Sequence, residues 1–186
     1  MRMYSDILIL AMLRQGPRHG YEIKKDIDKA LGGLVVLNNK TLYRALRRFE
    51  ESGTLTRQVI STIGKPDRHV YELTEGGAQV MNGLLADFGP DQARSDPEFF
   101  TRVAFFGFLD SQRRGAILHT RLAYLREVLV YLRGLQQTAK EDEHYANIVP
   151  FRSHAERVLA FHTKRIREEC DWIVSWLAEL EPHAES

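Results

Sequence analysis

Asn38-Asn39-Lys40-Thr41-Leu42-Tyr43-Arg44-Ala45-Leu46-Arg47-Arg48-Phe49-Glu50-Glu51 is the stretch on which the fold turns. Asparagine is a good N-cap type, so Asn38 or Asn39 opens a helix, and Gly53 closes it. Leu42, Leu46 and Phe49 fall at i, i+4 and i+7, one stripe of a 3.6-residue helix. Lys40, Arg44 and Arg47 repeat that spacing about 160 to 200° around the axis. The helix therefore has one face to bury and an opposite, basic face to present.

Two short helices precede it. Ile7, Leu8, Leu10, Ala11 and Met12 belong to a buried helix that Gly16-Pro17 ends, because proline cannot continue the hydrogen-bond ladder. A second helix follows Gly20, carries Tyr21, Ile23, Ile27 and Leu31, and stops at Gly32-Gly33. Downstream, Leu55, Val59 and Ile63 share one parity, as do Tyr71 and Leu73, around the turn Gly64-Lys65-Pro66-Asp67. This predicts a hairpin with Lys65 and Arg68 near its tip. Thr74 then caps a fourth helix with Val80, Met81, Leu84, Leu85 and Phe88 as its apolar set.

Composition narrows the class. The chain has 186 residues, 44% hydrophobic, with a net charge of only +1, enough for one domain or two small ones and against disorder. The lone cysteine, Cys170, excludes a disulfide framework and fits a reducing compartment. No apolar run approaches the roughly 20 residues of a spanning helix. The Ile7–Leu13 run resembles a signal peptide only superficially, since Asp6 interrupts its entry and no small-x-small site follows. The expectation is a cytoplasmic protein with no membrane partner.

Near-neutrality conceals an asymmetry. Residues 1–85 carry 13 Lys and Arg against 9 Asp and Glu, a net of +4, whereas residues 86–186 carry 13 against 16, a net of −3. The asymmetry predicts two halves that face different partners.

The segment 89–96, from Gly89-Pro90 onward, reads as a linker between a first domain, 1–88, and a second, 97–182. Asp96-Pro97-Glu98 is a helix start, and the remainder is all helical. Phe99, Phe100, Val103, Phe106 and Phe108 form an aromatic helix. Leu118, Leu122, Leu125, Leu129 and Leu132 follow at spacings of 4, 3, 4 and 3. After the acidic break Lys140-Glu141-Asp142-Glu143, read as a loop, Leu159, Ile166, Ile173 and Leu180 recur seven apart, with Cys170 and Leu177 alongside. Both patterns suit helix–helix seams.

The fold class is thus mainly α with a small β-hairpin wing: an N-terminal winged helix-turn-helix and a C-terminal all-α domain. Such a helix enters a major groove with its back face anchored. Lys40, Arg44 and Arg47 supply charge, and Asn38, Asn39, Thr41 and Tyr43 supply uncharged hydrogen-bonding groups. Lys65 and Arg68 straddle an adjacent phosphate strand or enter a minor groove. Thr41, Tyr43 and Arg44 are expected near base edges, the remaining cations on phosphates. A basic helix face is also an ordinary solvated surface, and winged helices also serve as protein-interaction adaptors without specific DNA binding.

Gly16-Pro17-Arg18-His19-Gly20-Tyr21-Glu22-Ile23 resembles a segment of the PadR family of bacterial transcriptional regulators. Thr41-Leu42-Tyr43-Arg44-Ala45-Leu46 with Glu50-Glu51-Ser52-Gly53 is similar to that family's recognition helix, and Arg68 to Gly77 to its second wing strand and fourth helix. The resemblance covers residues 7–85 in order and spacing. It departs at Asn38-Asn39-Lys40, where many relatives carry a small residue beside the threonine, which bears on base preference. By length and helix count the remainder resembles the larger subgroup with a long C-terminal helical domain.

The resemblance implies a homodimeric repressor on a pseudo-palindromic double-stranded DNA operator, with recognition helices in major grooves about 34 Å apart. Leu118, Leu122, Leu125, Leu129, Leu132, Leu159, Ile166, Ile173, Leu177 and Leu180 would then bury the dimer core; the alternative is packing within one chain. It also implies a small aromatic or drug-like effector. Trp172 and Trp176, one turn apart beside Cys170, are candidates to line its pocket, or else packing residues. His119, His144, His154 and His162 lack metal-ligand spacing, so no metal and no cofactor is expected. No nucleophile elbow, phosphate-cradling loop or paired carboxylates point to an enzyme.

Overall fold

A computed structural model describes residues 3–60, 68–141 and 152–180. The chain divides into two compact units, Met1–Arg114 and Gly115–Ser186. The first holds α1 (Met3–Arg14), β1 (Arg18–His19), α2 (Gly20–Leu31), α3 (Asn39–Glu51), β2 (Leu55–Ile60), β3 (Arg68–Leu73), α4 (Glu75–Ala86), α5 (Pro90–Ala93) and α6 (Asp96–Ala104). A 3-10 turn, Phe106–Phe108, follows. α7 (Ser111–Glu141) begins in the first unit and continues into the second, where α8 (Arg152–Leu180) joins it. No helix among the described residues is long and apolar enough to cross a membrane.

α1 is the axle of the first unit. Every residue from Tyr4 to Leu13 is buried, because α2, α3, α4, α6 and β3 all pack around it. That includes the polar Ser5 and Asp6. Ile23, Ile27, Leu42, Leu46, Met81 and Leu85 complete this core at 1% exposure or less.

The wing is an antiparallel sheet of order β1-β3-β2, with Leu55 opposite Leu73 and Ile60 opposite Arg68. The expected hairpin is present, although its tip, with Lys65 and Ile63, lies outside the described residues. The strand β1 was not expected. Two residues are too short to show a period of two, and only the pairing of Arg18 with Tyr71 and His19 with Val70 defines it. The same-parity reading of Leu55 and Val59 holds only at the first residue: Leu55 is 2% exposed and Val59 52%, because β2 outruns the core. Val80, expected in the apolar set of α4, is likewise exposed.

The segment 89–96, read from composition as a linker, lies inside the first unit. Pro90–Ala93 is a helical turn with Ala93 fully buried, and α6 packs on α1. The division falls instead at Arg114/Gly115. An electrostatic knot explains the difference. Arg102, fully buried, donates to the Glu98 carboxylate at 2.7 Å and to the Asp87 carbonyl at 2.7 Å at the end of α4. Glu98 in turn accepts the Tyr4 backbone N–H of α1 at 3.2 Å.

In the second unit Arg121 of α7, 2% exposed, pairs with Glu169 of α8 at 2.7 Å. The leucine stripe Leu118, Leu122, Leu125, Leu129 and Leu132 is 0–7% exposed in the single chain. Ile166, Cys170 and Ile173 are buried, and Leu159, Leu177 and Leu180 are half-buried. Of the break expected at 140–143, Lys140 and Glu141 continue α7; Asp142 and Glu143 lie outside the described residues, as does His144.

Candidate nucleic-acid interface

α3 starts where a capping side chain is available. The Asn38 Oδ1 accepts the Thr41 N–H at 2.8 Å, satisfying one of the first turn's orphan donors. Asn38 is therefore committed to the cap through its oxygen, a role that comes before any contact with a ligand. Gly53, at φ 70°, supplies the left-handed residue that releases the chain into the wing.

Leu42, Ala45, Leu46 and Phe49 anchor α3 on the core, leaving Asn39, Lys40, Tyr43, Arg44 and Arg47 exposed. The cations around α3 then sort into two kinds. Arg48 is tied to the buried Asp6 at 2.7 Å, and Arg57 of β2 to Glu50 at 2.9 Å. Lys40, Arg44 and Arg47 have no side-chain partner among the described residues. An unpaired, solvated cation can be given to a polyanion without breaking anything in the fold. The paired ones hold the helix in place: Arg48 against α1, Arg57 against the wing.

Burial pushes the Asp6 carboxyl above its ordinary range, against the opposing pull of the Arg48 guanidinium. In the wing, burial also raises the Tyr71 hydroxyl, which Arg57 partly offsets. Arg68 is exposed at the start of β3.

The Gly16–Ile23 segment, which sequence inspection treats as a motif, is a set of local constraints. The Arg18 Nε donates to the Met12 carbonyl at 3.0 Å, and its guanidinium pairs with Asp26. The His19 Nδ1–H donates to the His69 carbonyl at 3.0 Å, fastening α2 to β3. The His19 N–H donates to the Glu22 carboxylate at 2.8 Å, which holds that carboxyl below its usual range. Gly20 makes room for the Tyr43 ring: a Cβ there would stand 2.9 Å from Tyr43 Cε1. Sequence inspection misses the Asp6–Arg48 and Arg57–Glu50 pairs. Their members are 42 and 7 positions apart, with no periodic signal.

In the second unit Trp172 and Trp176 meet at 5.3 Å between ring centroids, Trp172 being 41% exposed. Cys170 beside them is buried, and burial raises its thiol, the state of an unreactive side chain. Among the described residues no group of three or more His, Cys, Asp and Glu is arranged to hold a metal.

A three-helix head with a small antiparallel wing, whose third helix carries a basic face unpaired among the described residues, defines a winged helix-turn-helix domain. Through residues 9–83 this chain matches the family described as transcriptional regulator PadR-like. It is 25% identical over 126 residues to the negative transcriptional regulator PadR of Bacillus subtilis (strain 168), which spans 68% of this chain and 69% of that one. It is 28% identical over 79 residues to the probable transcriptional regulator Rv1176c of Mycobacterium tuberculosis, 42% of each chain. Among solved structures, that of B. subtilis PadR with operator DNA is similar over 95% of this chain and 99% of that one, at 23% identity and a TM-score of 0.45. The same protein with p-coumaric acid matches over 96% and 99%, at 22% identity and a TM-score of 0.41.

Proposed function

We propose that this chain is a cytoplasmic, sequence-specific DNA-binding regulator: a homodimeric repressor on a pseudo-palindromic operator, released by a small aromatic effector. The observation that carries the reading is the sorting of cations on α3 and beside it on β2. Lys40, Arg44 and Arg47 are exposed and unpaired among the described residues, while Arg48 and Arg57 are tied to carboxylates. Thr41, Tyr43 and Arg44 then address base edges, with Asn39 beside them. Lys40, Arg47, Lys65 and Arg68 bind phosphates. Residues 1–88 read DNA, and the later helices, within 97–182, dimerise. The name of the B. subtilis relative supports repression, and its crystallisation with operator DNA and with p-coumaric acid supports both kinds of partner.

Dimerisation draws on a different surface from the leucine stripe. Those leucines are already buried within one chain, whereas Val130, Tyr131, Val158 and Phe161 are each more than 60% exposed on α7 and α8. Exposed apolar residues on two long helices are what a second copy would cover.

Footprinting on the DNA upstream of the chain's own gene, followed by titration of the protected duplex at two salt concentrations, tests the reading. Arg44→Ala should cost about 1–3 kcal/mol of affinity and relax preference at one position. Arg68→Ala should weaken binding evenly across sequences and lessen the salt slope by about one. A chain with no saturable duplex binding would be an adaptor instead.

A further inference from the structure

The chain enters α3 through Gly33-Leu34-Val35-Val36-Leu37-Asn38, an apolar run in which exposure alternates. Val35 and Leu37 are buried, whereas Leu34 is 66% and Val36 74% exposed. Val36 is thereby the most exposed large hydrophobic side chain among the described residues. Its two buried neighbours pin the backbone on either side of it, and its branched Cβ leaves few rotamers. An apolar group is thus held stiffly in water, where only another apolar group can relieve it. Its position indicates which one. Val36 stands two residues before Asn38, whose Oδ1 caps the first turn of α3, and a recognition helix meets base edges with its N-terminal end. Val36 also lines one cleft together with Lys40, Thr41 and Arg44. Leu34, though exposed, is not among the residues that line it.

We propose that Val36 reads a thymine methyl in the major groove of the operator, one in each half-site. The thymine C5-methyl is the apolar feature that the groove displays, and an aliphatic side chain has no use for the groove's donors and acceptors. Thr41, Tyr43 and Arg44 address the hydrogen-bonding edges from α3, and Lys40 a phosphate. Val36 adds a contact that no hydrogen-bonding side chain supplies, and the contact removes two apolar groups from water at once. The inference rests on the reading of α3 as the DNA-binding helix. It extends base readout upstream of that helix, into the loop that joins it to α2.

Titration of the full chain with the footprinted duplex, each thymine replaced in turn by deoxyuridine in both half-sites, tests the assignment, since uracil lacks only the methyl. The native chain should lose ~3-fold or more in affinity at one symmetric pair of thymines. Val36→Ala should bind the thymine duplex ~3-fold or more weakly and respond no further to uracil at that pair. Leu34→Ala, also at an exposed position, should keep the full response. A uracil profile identical in the native chain and Val36→Ala overturns the proposal, as does a native chain indifferent to uracil at every position. So does loss of the response in Leu34→Ala with Val36→Ala unchanged. In these three cases saturable duplex binding persists and the DNA reading stands; a chain that takes up no duplex overturns both.

Discussion

The ring of Tyr43 occupies the space where a side chain on Gly20 would begin: a Cβ at Gly20 would stand 2.9 Å from Tyr43 Cε1 and 3.2 Å from its hydroxyl oxygen. The first residue of α2 thus sets where the most exposed aromatic of α3 rests. Gly20→Ala displaces a half-exposed ring rather than backbone, so unfolding free energy should change by less than about 1 kcal/mol. The ring must move, however, and operator affinity should fall. Urea unfolding beside duplex titration separates the two; an unchanged affinity would show that the Tyr43 position does not matter to DNA.

Gly77 provides the contrast. A Cβ there would meet the Thr54 carbonyl oxygen at 2.0 Å and Leu73 Cδ1 at 2.8 Å. That carbonyl also accepts from the Thr74 N–H at 3.1 Å, so it is held from both sides. Gly77→Ala should cost about 1–3 kcal/mol or more, because backbone must yield. Thermal unfolding would reveal it.

Arg102 has no exposure and serves α4 and α6 while its partner Glu98 holds α1. Arg102→Met fills much of the volume but leaves Glu98 buried without its cation. The expected loss is about 3–5 kcal/mol in denaturant unfolding. A loss below 1 kcal/mol, roughly a surface substitution's effect, would show that the knot is dispensable.

Asp6 gives a pH dependence of defined sign. Its folded pKa is raised by burial, so the folded state holds the proton more tightly than the unfolded chain. Its contribution is fully present below the unfolded value of about 3.9 and is lost as pH rises through the raised folded value. Compared with Asp6→Asn, the native chain should therefore gain stability as pH falls through that window. Urea unfolding of both proteins across the acid range checks it, and a difference that runs the other way would mean that Arg48 outweighs burial.

Much of this was legible in residue order. The caps at Asn38 and Thr74, the stops at Gly32 and Gly53, and the opposed stripes of α3 are local features, set by hydrogen bonds and dihedrals within a few positions. The unannounced features are those that join distant positions. β1 exists only through its pairing with β3, and 89–96 is held inside the first unit by the packing of α6 on α1 and the knot at Arg102.

The stretch from Asn38 to Glu51 by itself determined a helix with a core stripe, a basic stripe and a cap, because each follows from the 3.6-residue period and backbone chemistry. Its composition did not determine which cations are available. Arg47 and Arg48 are adjacent, chemically identical and equally basic in the sequence. Only the tertiary structure brings Asp6, 42 positions earlier, against Arg48; Arg47 has no such partner among the described residues. The reason is that pairing depends on through-space distance, which a helical period cannot encode beyond its own turns.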